Sequence, residues 1–81
     1  MNALDQLPVG KRVRVRSVAG DDEVSLRLLE MGLTPGVEIA VVGTAPLGDP
    51  LELELRGYRL SVRRSEAARV EIELLETTDS P

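Results

Sequence analysis

Four acidic side chains, Asp21, Asp22, Glu23 and Asp49, are the groups in this 81-residue chain best suited to chemistry with a cation. Their oxygens would suit a hard ion, but no spacing among them selects iron or another transition metal. The chain has no cysteine and no histidine, which excludes disulfides, thiolate metal sites and imidazole chemistry. Gly20-Asp21-Asp22-Glu23 reads as a loop whose acidic end suits a helix start, as cap and against the helix dipole. That role accounts for the first three acids without a metal, and no cofactor is expected. The remaining carboxylates have no nucleophile, phosphate loop or partner acid beside them. An enzyme is not expected.

Arginines carry the opposite charge in two groups. Arg12, Arg14 and Arg16 alternate along one strand candidate, while Arg56, Arg59, Arg63 and Arg64 cluster around a hairpin candidate. A net charge of −4 argues against non-specific nucleic-acid binding, which needs a basic footprint. Glu52, Glu54, Glu71 and Glu73, at alternating outward positions, make solvated ion pairs the better account of the arginines. Nucleic acid is therefore not expected as a partner. Proline-rich peptides dock on aromatic grooves, and Tyr58 is the only aromatic residue, so packing or hydrogen bonding at the hairpin tip suits it better. No apolar run approaches the roughly 20 residues that span a bilayer, and no charged-then-apolar leader is seen. A soluble cytoplasmic domain without direct membrane insertion is expected.

The elements that position these side chains are mostly strands. Leu4 and Leu7 precede Pro8-Val9-Gly10, a turn-rich lead. Lys11 to Arg16 alternates charged and apolar with the period of a half-buried strand. A short helix is expected to end at Met31, with Gly32 in the left-handed position after the cap and Leu33 packing back on Leu28. Pro35-Gly36 is a type II turn signal, and Val37 to Val42 is an apolar, β-branched strand candidate. Ala45-Pro46-Leu47-Gly48-Asp49-Pro50 reads as a loop whose leucine is pinned. Leu51 to Arg64 reads as a hairpin around Gly57-Tyr58, with glycine first as a type II′ turn wants. That register pairs Leu55 with Leu60, Leu53 with Val62, Glu52 with Arg63 and Arg56 with Arg59. Ser65 to Ala68 suits a single helical turn, and Val70, Ile72 and Leu74 mark a last strand. One domain over residues 1–75 and a disordered tail over 76–81 are expected. Five short, mostly antiparallel strands suggest a small, partly open barrel with the helix between the first two.

Leu7-Pro8-Val9-Gly10, the run Arg27 to Gly36, the Pro46-Leu47-Gly48-Asp49-Pro50 loop and the arginine-containing strand before Glu66-Ala67 together resemble the FeoA family. The resemblance covers roughly residues 4 to 74. It implies a mainly β, SH3-like five-stranded barrel acting as the small cytoplasmic component of bacterial ferrous-iron uptake, beside the FeoB transporter. A free-standing chain of this length looks like a stand-alone member of that family. The alternative it implies is a metal-responsive SH3-like regulatory domain acting with a metal-dependent transcriptional repressor, although no helix-turn-helix precedes it here. In an SH3-like barrel the first and last strands pair, which places Arg14 and Arg16 near Glu71 and Glu73.

A binding surface follows from the helix. At about 100° per residue, Val24, Leu28 and Met31 form one stripe, while Leu26 and Leu29 fall on nearly the opposite side. A short helix on a barrel buries one stripe, so the second stays partly exposed unless the proline loop covers it, with Leu26 or Leu29 tucked under Leu47. Leu26 departs from the family pattern, in which that position is more often polar. Leu26, Leu29, Met31, Leu33, Pro46, Leu47 and Pro50 are the expected contacts to the cytoplasmic part of a FeoB-type partner. Gly32, Pro35, Gly36 and Gly57 are expected to shape the backbone. Oligomeric state is left open.

Overall fold

Alternation in the sequence becomes alternation in space. The computed structural model describes residues 2–75, so the tail expected over 76–81 lies outside the described residues. In β2 (Arg12–Val18) Val13 and Val15 point inward and the arginines outward. β3 (Glu38–Thr44) buries Ile39 and Val41, and β4 (Leu51–Leu55) buries all three of its leucines. β5 (Tyr58–Val62) contributes Val62, and β6 (Val70–Leu74) contributes Val70 and Ile72. These side chains, with Leu4, Leu28, Leu33, Val37 and Ala67, form one wholly aliphatic core.

The lead segment does more than turn. Asn2–Ala3 forms a two-residue strand, β1, and Leu4–Gln6 a 3₁₀ turn that drops Leu4 into the core with no exposed surface. The sheet order is β1-β6-β2-β3-β4-β5, with every neighbouring pair antiparallel. Bulges at Arg16 in β2 and Val42 in β3 each insert one residue against the partner strand, which increases the twist and curls the sheet. Among the described residues the sheet does not close, and β1 and β5 are its edges. Helix α1 (Glu23–Glu30) lies between β2 and β3 in sequence, and the short α2 (Arg64–Ala67) between β5 and β6. This is the expected mainly β, partly open barrel. Among the described residues no helix is long and apolar enough to cross a membrane.

The hairpin corrects the expected register. Its two-residue turn is Arg56-Gly57, not Gly57-Tyr58, with φ of 53° and 85°, the two positive values a type I′ turn requires. Leu55 therefore faces Tyr58, Leu53 faces Leu60 and Leu51 faces Val62. Glu52 lies opposite Ser61 rather than Arg63, and Arg59 opposite Glu54 rather than Arg56. The error is a slip of two residues. Because side chains alternate with period two, such a slip changes every partner but no facing, so the inward leucines come out right in either register.

The barrel's first and last long strands do pair, and Arg14 sits between two acids. Its guanidinium is 3.4 Å from Glu38 on β3 and 3.7 Å from Glu73 on β6, both directly opposite it in register. Arg16 makes no such pair among the described residues, because the bulge takes it out of step and Ser17 meets Glu71 instead, at 3.1 Å. These exposed pairs each contribute about 0–1 kcal/mol.

Candidate functional site

Helix α1, the lead segment and the proline loop all converge on α2. Asp22 caps α1: its Oδ1 accepts from the Ser25 amide at 3.2 Å, and the buried Ser25 hydroxyl donates to the Asp22 carbonyl at 3.0 Å. The same Oδ1 accepts from Arg69 at 2.6 Å, which fastens the start of α1 to the residue before β6. The Arg69 guanidinium, with the Ser25 amide, holds the Asp22 carboxyl below its ordinary value of 3.8. A carboxyl lowered on folding adds stability that is complete above its unfolded value and is lost as pH falls through the folded one. Wild type should therefore lose stability more steeply than Asp22→Asn below about pH 4. Parallel thermal melts across the acid range check this; coincident slopes would remove Asp22 from the acid response.

Helix α1 ends as expected. The Gly32 amide donates to the Leu29 carbonyl at 3.0 Å and the Leu33 amide to the Leu28 carbonyl at 3.1 Å, with Gly32 at φ 111°. Pro35-Gly36 closes its turn through the Val37 amide and the Thr34 carbonyl, 3.1 Å apart, with Gly36 at φ 95°. The Tyr58 hydroxyl donates to the Met31 carbonyl at 2.9 Å, tying the hairpin to the helix cap. Leu28 is fully buried, Val24 and Met31 are packed partly against the core, and Leu29 is half-buried. Leu26 is 56% exposed. The second stripe of the helix thus stays partly exposed, as expected where the proline loop does not cover it.

The proline loop corrects a second expectation. Leu47 is not pinned and covers neither Leu26 nor Leu29; it stands 96% exposed at the loop tip, beside exposed Pro46, with Pro50 half-buried. Its backbone is nevertheless held. The Gly48 amide donates to Ala45 at 2.7 Å and the Ala45 amide to Pro50 at 3.0 Å. Arg64 then clamps the loop: its Nε donates to the Gly48 carbonyl at 2.5 Å and its amide to the Asp49 carboxylate at 3.0 Å. Its Nη1 donates to the Asp5 carbonyl at 2.7 Å, binding in the lead segment as well. Glu66 caps the start of α2 through the Arg63 amide at 3.1 Å and pairs with Arg27 of α1.

Of the expected contact residues, the structure leaves Leu26, Leu47 and Pro46 exposed and Leu29, Met31 and Pro50 partly so. Leu33 is corrected: with no exposed surface it belongs to the core, because the turn after Gly32 folds it back over Leu28. Gly57 is the second turn residue rather than the first. Arg64, Glu66 and Arg69, the side chains that organise the site, were not singled out from sequence for that role. Only the position of Glu66, three residues after Arg63 as in a capping box, could have pointed to one of them. Asp22 and Asp49 are engaged in capping, and no group of three or more acidic, histidine or cysteine side chains is poised to hold a metal among the described residues.

Comparison with known proteins agrees with this geometry. A family model described as FeoA domain matches residues 2–74. The chain is 39% identical over 80 residues to the Fe(2+) transport protein A/Fe(2+) transporter FeoB fusion protein of Porphyromonas gingivalis. That match takes in 96% of this chain but spans only 10% of the fusion protein's length. In shape it is similar to the solution structure of a FeoA-like protein from Clostridium acetobutylicum, with a TM-score of 0.85 and 35% identity over 98% of this chain and 92% of that one. It is also similar to the crystal structure of Stenotrophomonas maltophilia FeoA with zinc, described as a procaryotic SH3 domain protein. There the TM-score is 0.79 and the identity 32%, over 90% of this chain and 91% of that one.

Proposed function

Because this chain belongs to the FeoA family, we propose that it is a small cytoplasmic accessory protein of bacterial ferrous-iron uptake that acts by contact with the cytoplasmic part of a FeoB-type transporter. The observation that carries this reading is covalent. In the P. gingivalis relative the matching module is part of one chain with the transporter. Covalent linkage holds two modules at high effective concentration, which is useful where the two work in contact.

Leu47 supports the same reading from a different side. An aliphatic side chain 96% exposed on a backbone held by two loop hydrogen bonds and an arginine clamp is ready to enter a partner's pocket. Little loop ordering then remains to oppose binding. Leu26 and the half-buried Leu29 add apolar surface on α1, which is tied to α2 by the Arg27–Glu66 pair as the loop is by Arg64. No catalytic step is assigned to the chain.

The test is retention of this protein on immobilised full-length FeoB and on its isolated cytoplasmic part, each with and without guanine nucleotide. Saturable retention by the cytoplasmic part is expected. A failure of every form of FeoB to retain a folded sample would overturn the reading.

A further inference from the structure

The edge of the sheet at β5 carries a feature that the α1 and proline-loop surface does not use. β4 covers one side of β5, and no strand among the described residues covers the other. In a hairpin with a two-residue turn, Leu55 and Tyr58 form the first hydrogen-bonded pair, and such pairs alternate along the ladder. The backbone groups of Arg59 and Ser61 therefore point away from β4. Neither residue bonds through its backbone to a loop or helix among the described residues. At Arg63 the edge ends, because its amide donates to Glu66 and its carbonyl accepts from Glu66 and Ala67.

The side chains along this edge are cationic on one face and apolar on the other. Arg59, Ser61 and Arg63 follow one another at alternate positions, all exposed, with exposed Arg56 at the turn. No carboxylate of the described residues is in ion-pair distance of Arg56, Arg59 or Arg63, whereas Arg12, Arg27 and Arg69 each have one and Arg14 has two. Glu54, opposite Arg59 in register, lies 3.9 Å from Arg12 instead. On the inner face Tyr58 is 45% exposed and Leu60 only half-buried.

We propose that the free edge of β5 takes an extended segment of a partner protein as an added strand, one that alternates acidic and apolar residues. Its backbone would meet the outward groups of Arg59 and Ser61, the pairing that exposed sheet edges offer. Its acids would stand beside Arg59 and Arg63, four residues or about 13 Å apart at the rise of a strand. Its apolar side chains would cover Leu60 and the ring of Tyr58. The opposite charges attract such a segment and reject a basic one. This surface is separate from Leu47, and its test does not depend on FeoB.

The probe is a capped peptide of about eight residues alternating valine and glutamate, long enough to span the roughly 17 Å of a five-residue strand. It is titrated into isotope-labelled protein and followed by amide shifts and hydrogen exchange. Expected are saturable shifts centred on Arg59 and Ser61 and slowed exchange of these two amides. Arg59→Glu combined with Arg63→Glu should weaken binding about tenfold or more. Ser61→Pro keeps every charge but removes one outward N–H, so it should also lose the peptide. If that variant does not fold, a glutamate peptide with prolines at alternate positions tests the same point and should not bind. Equal binding of the proline peptide, equal binding of anionic vesicles or duplex DNA, or shifts centred elsewhere would overturn strand addition. An unresponsive edge would do so too, leaving its arginines as a guard against self-pairing.

Discussion

Gly32→Val should destabilise the fold by about 2–4 kcal/mol, since it combines a disfavoured backbone conformation with the loss of a hydrogen bond. Gly32 sits at φ 111°, where a β-branched residue is a genuine outlier. The space a Cβ would need is already taken: it would run into the Tyr58 hydroxyl and come within 3.3 Å of Leu55 Cδ1. Making room pushes the tyrosine away and breaks its bond to the Met31 carbonyl. For a domain of this size the melting temperature should fall by at least about 10 °C. Two causes can be separated by a double-mutant cycle with Gly32→Ala and Tyr58→Phe. If the steric part is real, Gly32→Ala costs less when the hydroxyl is gone. A Gly32→Val protein that melts with wild type would mean that the glycine does not hold this conformation in solution.

The second large effect is on binding. Leu47→Glu should weaken association with FeoB by about thirtyfold, the equivalent of the roughly 2 kcal/mol gained by burying a leucine. Burying the new charge adds to the loss. Stability should not change, because the side chain touches almost nothing in the free protein. Leu29→Glu should weaken binding less cleanly, since that leucine is half-buried and part of any effect will be on the fold. Arg16→Glu is the appropriate charge control: Arg16 is exposed and unpaired among the described residues, whereas Arg14 is held between Glu38 and Glu73. Cells that depend on this system should lose ferrous-iron uptake with Leu47→Glu and keep it with Arg16→Glu. Full uptake and full binding by a folded Leu47→Glu protein would take this loop out of the interface.

Local rules carried much of this structure from the sequence. The helix stop at Gly32, the turn at Gly36 and the cap at Asp22 depend on neighbours within a few residues, and each is where its residue type requires. The inward leucines of β4 follow from period two alone. What failed needs information that no window holds. The choice between Arg56-Gly57 and Gly57-Tyr58 as the turn rests on which residue tolerates positive φ, and an arginine there is an uncommon solution. Leu33 packs back on Leu28 as the cap predicts, but that local contact does not disclose that the residue is fully buried and so closed to a partner. A pinned Leu47 is the wrong expectation because the sequence does not disclose that Arg64, 17 positions on, grips the backbone and leaves the side chain out. The clamp joins residues 5, 48 and 64, a relation with no periodicity to detect.

The place of β6 has a kinetic consequence. It lies between β1 and β2, so the last strand in the described chain fills an interior position of the sheet. Val13 meets Leu74 and Asn2 meets Ile72, contacts that close loops of some 60 to 70 residues. Loop closure at that separation is slow, and nothing made earlier on the ribosome can stand in for the missing strand. A nascent chain that has emerged as far as α2 holds β1 and β2 without the strand that joins them, its aliphatic core still open to solvent. The fold should therefore form in one late, concerted step, with arrival of the final strand setting its pace.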